Sequence, residues 1–148
     1  MRALYTIGYT KKSLREFVRR LKGHGVDCVV DIRLNNTSQL AGFSKKEDLE
    51  FLLKDGFGTG YIHLPELAPS EDLLKSYKSK KDWDSYEDQY NELIEERGMV
   101  DILLQAIDEN SWQRPCLLCA EDESEHCHRR LLAEAIQANV EGLEVSHL

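Results

Sequence analysis

"VDCVVDIR", Val26–Arg33, is a short run of β-branched and apolar residues bounded by Gly25 and by a polar loop. Such a run fits a strand covered on both faces, the environment of a parallel sheet flanked by helices. The residues before it agree. Ser13 with Glu16 three residues on is a capping box, Leu14, Phe17, Val18 and Leu21 recur as one buried stripe, and Gly23 and Gly25 end that helix. Ahead of the helix, Ala3 to Ile7 alternate weakly and stop at Gly8, which reads as a first strand.

On the other side of Arg33 a polar loop runs from Leu34 to Phe43. Ser44 and Glu47 then form a second capping box, with Leu49, Leu52 and Leu53 as the inner face of a helix ending near Gly56. A third strand near Tyr61 to Leu64 stops at Pro65. From Ser70 to Asn110 the chain reads as helical, with breaks near Lys80 and Gly98 and an inner stripe of Trp83, Tyr86, Tyr90, Leu93 and Ile94. "PCLLCA", Pro115 to Ala120, is a fourth strand, a helix follows from about Glu125 to Ala138, and "LEVSHL" makes a fifth strand. Strands alternating with helices imply parallel pairing and right-handed crossovers. The expectation is one α/β domain over residues 1–148: a three-layer α/β/α fold, a mostly parallel sheet of about five strands, and a helical insertion over about 70–110 before the fourth.

At 148 residues one core needs no disulfide or metal as a staple. A net charge of −8 and a pI near 5.1 argue against a general nucleic-acid binder or an anionic-membrane binder. The basic cluster Lys11, Lys12, Arg15, Arg19, Arg20, Lys22 and the acidic stretch Glu87 to Glu96 read as solvated helix faces. No N-terminal leader and no membrane-length apolar run is present, so a cytoplasmic location is expected. In that reducing compartment Cys28, Cys116, Cys119 and Cys127 are expected to be free thiols.

In a parallel sheet the loops after the strands share one edge, where ligands bind. The first strand brings Thr6, Gly8 and Tyr9 to that edge, the second Asp31 and Arg33, the third His63 and Glu66, the fourth Cys119 and Glu121. The stretch "LLCAEDESEHCHRRLLAEAI", Leu117–Ile136, adds Cys127, His128 and Arg129. A zinc chelate from Cys116 and Cys119 fails on a strand, where residues three apart point to opposite faces. Cys127 and His128 project about 100° apart on a helix and do not chelate one ion either. No metal and no cofactor are expected. Two readings remain. Arg33, Arg129 and a helix N-terminus can hold a phosphate or carboxylate, while a thiolate at Cys119 or Cys127 can act as nucleophile, favoured by the same helix end and by His128 or Arg129. Asp31 and Glu121 can serve as acid and base. Asp31 and Arg33, two apart on one strand face, can also be a plain ion pair.

"TIGYT", "VVDIRLNNTSQLAGFSKK", "YIHLPELAP" and "LLCAEDESEHCHRRLLAEAI" together resemble, in order and spacing over nearly the whole chain, the bacterial and archaeal family called domain of unknown function 488. The resemblance implies a compact α/β domain and marks Asp31, Arg33, Cys119, Glu121, Cys127, His128 and Arg129 as signature positions. It implies no activity. The chain departs from a common family form, which has Pro and a basic residue where Asn36, Gln39 and Leu40 stand. Neither G-x-x-x-x-G-K-[ST] nor G-x-G-x-x-G occurs, which argues against a P-loop hydrolase and a dinucleotide oxidoreductase.

The expected function is therefore an enzyme of unassigned reaction that binds a small anionic molecule, such as a nucleotide or phosphorylated metabolite, at the carboxyl edge of the sheet. Arg33 and Arg129 would hold the anion, with Thr6, Gly8, Tyr9, His63 and Glu66 around it; Asp31, Glu121, Cys119, Cys127 and His128 are the catalytic candidates. A non-catalytic interaction module, meeting a partner through its acidic helical insertion, is the rival. A thiol-redox or metal protein built on Cys119 and Cys127 is the third reading.

Overall fold

Five short strands form one all-parallel sheet in the order β3-β2-β4-β1-β5: β1 (Ala3–Gly8), β2 (Cys28–Asp31), β3 (Gly60–His63), β4 (Pro115–Cys119) and β5 (Glu144–His147). This is a computed structural model and describes all 148 residues. Side chains alternate along each strand and so divide between two cores. Tyr5, Ile7, Val29, Cys116 and Leu118 face one side, where Phe17 and Leu21 of α1 (Leu14–Gly23) and Leu49 of α2 (Lys46–Phe51) cover them. Leu4, Cys28, Val30, Ile32 and Leu117 face the other. There they meet α3 (Glu71–Lys80), α4 (Trp83–Arg97), α5 (Met99–Asn110) and α6 (His128–Asn139) through Leu73, Tyr86, Tyr90, Ile94, Leu103, Ile107, Leu131, Leu132 and Ile136. Each fully buried Leu or Ile contributes about 1.5–3 kcal/mol of transfer free energy, so the sheet is held from both faces. The expected three-layer α/β/α fold, with its helical insertion before the fourth strand, is the fold observed.

The helical signals are partly realised. Ser13 caps α1, its hydroxyl accepting from the Glu16 amide at 3.1 Å. Asp82 caps α4 in the same way, and Gly98, at φ 61°, turns α4 into α5; the breaks fall where the sequence places them. Ser44 does not cap. Its hydroxyl and carbonyl both receive hydrogen bonds from the buried Arg33 guanidinium, so α2 starts at Lys46 without a side-chain cap and runs on into a wider turn over Leu52–Gly56. The last helix starts at His128, three residues after the expected Glu125. The carbonyls of Glu121, Asp122 and Glu125 are taken by Arg129 and Arg130 instead of by a helical turn. No helix is long and apolar enough to cross a membrane.

The topology opens a crevice. After β2 the chain leaves toward α2 on one face, and after the adjacent β4 it leaves toward α6 on the other. Loops that part in opposite directions leave a gap at the carboxyl edge, the usual ligand position in such sheets.

Candidate active site

That gap is a cleft of about 280 Å³. Its floor carries Cys119 at the end of β4 and Cys127 just before α6, with Tyr9, Arg33, Glu121 and His128 beside them. Tyr77, Lys78 and Tyr86, from α3 and α4, with His126 from the last loop, form the opposite wall. The rings there are packed together: Tyr77 lies 4.8 Å from Tyr86, and Trp83 stacks on Tyr86 at 5.2 Å and on His126 at 4.9 Å.

The two thiols meet. Sγ of Cys119 and Sγ of Cys127 are 2.9 Å apart, and the two residues are only 1% and 3% exposed. Behind them lies Arg129, 1% exposed and among the largest fully buried side chains of the protein. Its Nη1 donates to Cys119 Sγ at 3.0 Å and to the Glu121 carbonyl, Nη2 to the Asp122 carbonyl at 2.8 Å, and Nε to the Thr6 hydroxyl at 3.2 Å. Thr6 in turn bonds His147 Nδ1 at 2.7 Å. The backbone at Gly8, paired with Cys119 across β1 and β4, makes room for this: a Cβ there would run into the Glu121 carbonyl and Nη1 of Arg129.

The hydrogen bonds of Arg129 go to neutral carbonyls, a hydroxyl and thiols, and it has no carboxylate partner. An ionised guanidinium away from water needs a counter-charge. The acidic group in contact is the Cys119 thiol. Burial pushes that thiol up, but the hydrogen bond from Cys127 and the charge and N–H of Arg129 outweigh it, so Cys119 ionises below the ordinary thiol range. Cys127, donating to its neighbour and buried, is held well above that range. Of the two thiols Cys119 is thus the one that ionises first, and Cys127 the one that keeps its proton.

His128 is neutral. Its Nε2 donates to the Ile32 carbonyl at 3.2 Å, which fixes the tautomer and leaves Nδ1 bare, 4.0 Å from Cys127 Sγ. Burial lowers its pKa to about 4.

Asp31 and Arg33 form a separate network. The guanidinium grips the carboxylate with Nε–Oδ1 at 2.8 Å and Nη2–Oδ2 at 2.7 Å, and bonds Ser44 as well. Oδ2 also accepts from Tyr61 Oη at 2.6 Å and Asn36 Nδ2 at 3.0 Å. Burial opposes ionisation of Asp31, yet these donors hold its carboxyl below the usual range. Arg33 reaches the cleft with its other surface and lies 5.3 Å from the centroid of the Tyr9 ring.

The cleft thus joins Tyr9, Arg33, Cys119, Glu121, Cys127 and His128. Thr6, Gly8 and Arg129 lie beneath the thiols, and Arg129 borders a second hollow with Arg20, Asp122 and His147. Asp31 is enclosed in its network. His63 donates to the Arg33 carbonyl at 2.8 Å, and Glu66 is exposed on the turn Pro65–Leu67. No group of three His, Cys, Asp or Glu side chains is arranged to hold a metal ion. Nothing in the sequence marks the wall of Tyr77, Lys78 and His126, and for Tyr86 the helical stripe indicates burial without what it covers.

No curated protein and no solved structure matches the chain. The model of the family described as "Domain of unknown function DUF488" matches residues 13–136 of the 148, spanning both strand ends that bear Arg33 and Cys119 and most of α6, and the chain belongs to that family.

Proposed function

We propose that the protein is an enzyme of thiol chemistry in which the Cys119 thiolate attacks a small molecule held in the cleft. One observation carries this reading: Arg129 is buried without a carboxylate, and Cys119 is the ionisable group it touches. A purely structural arginine gains nothing from a thiol as counter-ion, because a carboxylate or further carbonyls would satisfy it as well. A thiolate fixed at the floor of a cleft is an activated nucleophile. Its neighbours take up other roles. Asp31 and Arg33 buttress the cleft wall, since their hydrogen bonds are mostly spent on each other, Ser44, Asn36 and Tyr61.

The substrate is a small molecule with a flat apolar part and an anionic group. The aromatic side chains of Tyr77, Tyr86 and His126 favour the first feature; Lys78, a cation at the cleft without a carboxylate partner, favours the second.

Iodoacetamide is small and neutral, so its reaction with Cys119 reports the thiolate. Followed by peptide mass spectrometry across pH, labelling of Cys119 in the wild type should persist below the ordinary thiol range, and Arg129→Met should move it upward. Labelling of the wild type that follows an ordinary thiol titration would remove the basis for the enzyme.

A further inference from the structure

A hydrogen-bond donor to the Cys119 thiolate need not be a thiol, yet the sulfur of Cys127 sits against that of Cys119 at 2.9 Å, on the floor of the same cleft. We infer that Cys119 and Cys127 act as attacking and resolving thiols toward a small organic disulfide whose leaving thiol is acidic. This rests on the thiolate reading above and names the substrate class of that site.

The steps balance. The Cys119 thiolate attacks one sulfur of R–S–S–R′; the bond from Cys119 to the R–S sulfur forms and the S–S bond of the substrate breaks. The departing R′–S⁻, the anion of an acidic thiol, leaves without a proton, and Cys127 gives its proton to water in the next step. Cys119 is now a neutral mixed disulfide, and Arg129 has lost its counter-ion. Cys127 Sγ, 3.9 Å from Nη1, is the acidic group next in line, and the thiolate that held its proton in place is gone. The buried guanidinium therefore passes its charge partnership from one sulfur to the other. The Cys127 thiolate attacks Cys119 Sγ, forming the Cys119–Cys127 disulfide and expelling R–S⁻, which takes a proton from water. Two cysteines are oxidised to one cystine while the substrate disulfide is reduced to two thiols. An external dithiol returns the protein to its starting state.

The arginine also selects the substrate. It stabilises the reduced, thiolate form and is left without an anion in the disulfide form, so the internal disulfide is an oxidising one. A couple of that kind is driven to oxidation only by an activated disulfide, with a leaving thiol of low pKa, and is easily reduced again. Aryl thiols have that acidity, and the cleft wall of Tyr77, Tyr86 and His126 is suited to an aryl group.

The test uses dithiobis(nitrobenzoate), an aromatic disulfide bearing carboxylates, on the full chain. Released aryl thiol is counted by absorbance, and intact and peptide masses are recorded, with the Cys119→Ser/Cys127→Ser double variant giving the background of Cys28 and Cys116. Wild type should release two aryl thiols per chain, keep no adduct, and contain a Cys119–Cys127 cystine that dithiothreitol reverses. Cys127→Ser and Cys127→Ala should each release one and retain an adduct on Cys119. A wild type that keeps a lasting adduct on Cys119 would overturn the resolving role while leaving the nucleophile intact. An adduct on Cys127 in place of Cys119 would overturn the order of attack. Absence of any modification at Cys119 in folded protein would overturn the thiolate enzyme itself. The wild-type masses decide these outcomes even if a variant fails to fold.

Discussion

Arg33 and Arg129 are both buried, but opposite charge reaches them differently. Arg33 has a carboxylate in a two-point grip, and Asp31 has three side-chain donors, so this pair is a closed unit. Removing the arginine strands a buried carboxylate. Arg33→Met should lower unfolding free energy by about 3–5 kcal/mol in a urea titration at neutral pH, a far larger loss than an exposed arginine would give. The pH dependence has a fixed sign. The folded Asp31 carboxyl lies below its unfolded value, so its contribution is present above the unfolded pKa and is lost as pH falls through the folded one. Arg33→Met should therefore be less sensitive to acid than wild type. Arg129 has only a thiol to balance it, and that difference between two buried arginines is the origin of the proposed chemistry.

The segments that begin α2 and α6 were the places where local sequence signals failed. Ser44 with Glu47, and the acidic residues before Cys127, have the composition of helix starts, and a helix would form there if only neighbours competed. Arg33 and Arg129 compete instead for the Ser44 hydroxyl and for the carbonyls of Glu121 and Asp122, partners that become visible only after the sheet has assembled. The breaks at Lys80 and Gly98, which depend on nothing distant, were legible. Starting α6 at His128 seals that ring against Tyr90 at 5.5 Å, with Nε2 on the Ile32 carbonyl. A buried neutral histidine with a pKa of about 4 resists protonation that the unfolded chain accepts near 6.5. Stability should fall as pH drops between those two values, by on the order of 3 kcal/mol across the window. His128→Gln keeps a donor for Ile32 and cannot titrate. Denaturation midpoints compared at neutral pH and near the lower value should show wild type losing more than the variant; equal losses would mean the imidazole is not held neutral.

In the molecule as a whole, parallel topology made the position of the site readable. Strand ends carrying Tyr9, Arg33, Cys119 and Glu121 had to reach one edge once the sheet was parallel, and they do line one cleft. Which of the edge residues would be consumed in pairs could not be read, because Asp31 finds Tyr61 and Asn36, and Arg129 finds Thr6, through contacts between elements far apart in the chain. The wall from α3 and α4 was hidden for a related reason: a helical stripe announces burial without naming what it buries. Lys12, buried and paired with Asp122, ties the loop after β1 to the loop after β4, whose Asp122 carbonyl accepts from Arg129. The whole arrangement turns on the claim that one buried guanidinium is neutralised by one sulfur. Thiolate absorbs in the ultraviolet where thiol does not, so titrating that absorbance in wild type and in the Cys119→Ser/Cys127→Ser variant measures the ion pair directly. Wild type should carry one thiolate per chain persisting below the ordinary thiol pKa of about 8.5, and the Cys119→Ser/Cys127→Ser variant should carry none there. A wild type with no thiolate below that range, or a thiolate that survives unchanged in the Cys119→Ser/Cys127→Ser variant, would contradict this ion pair.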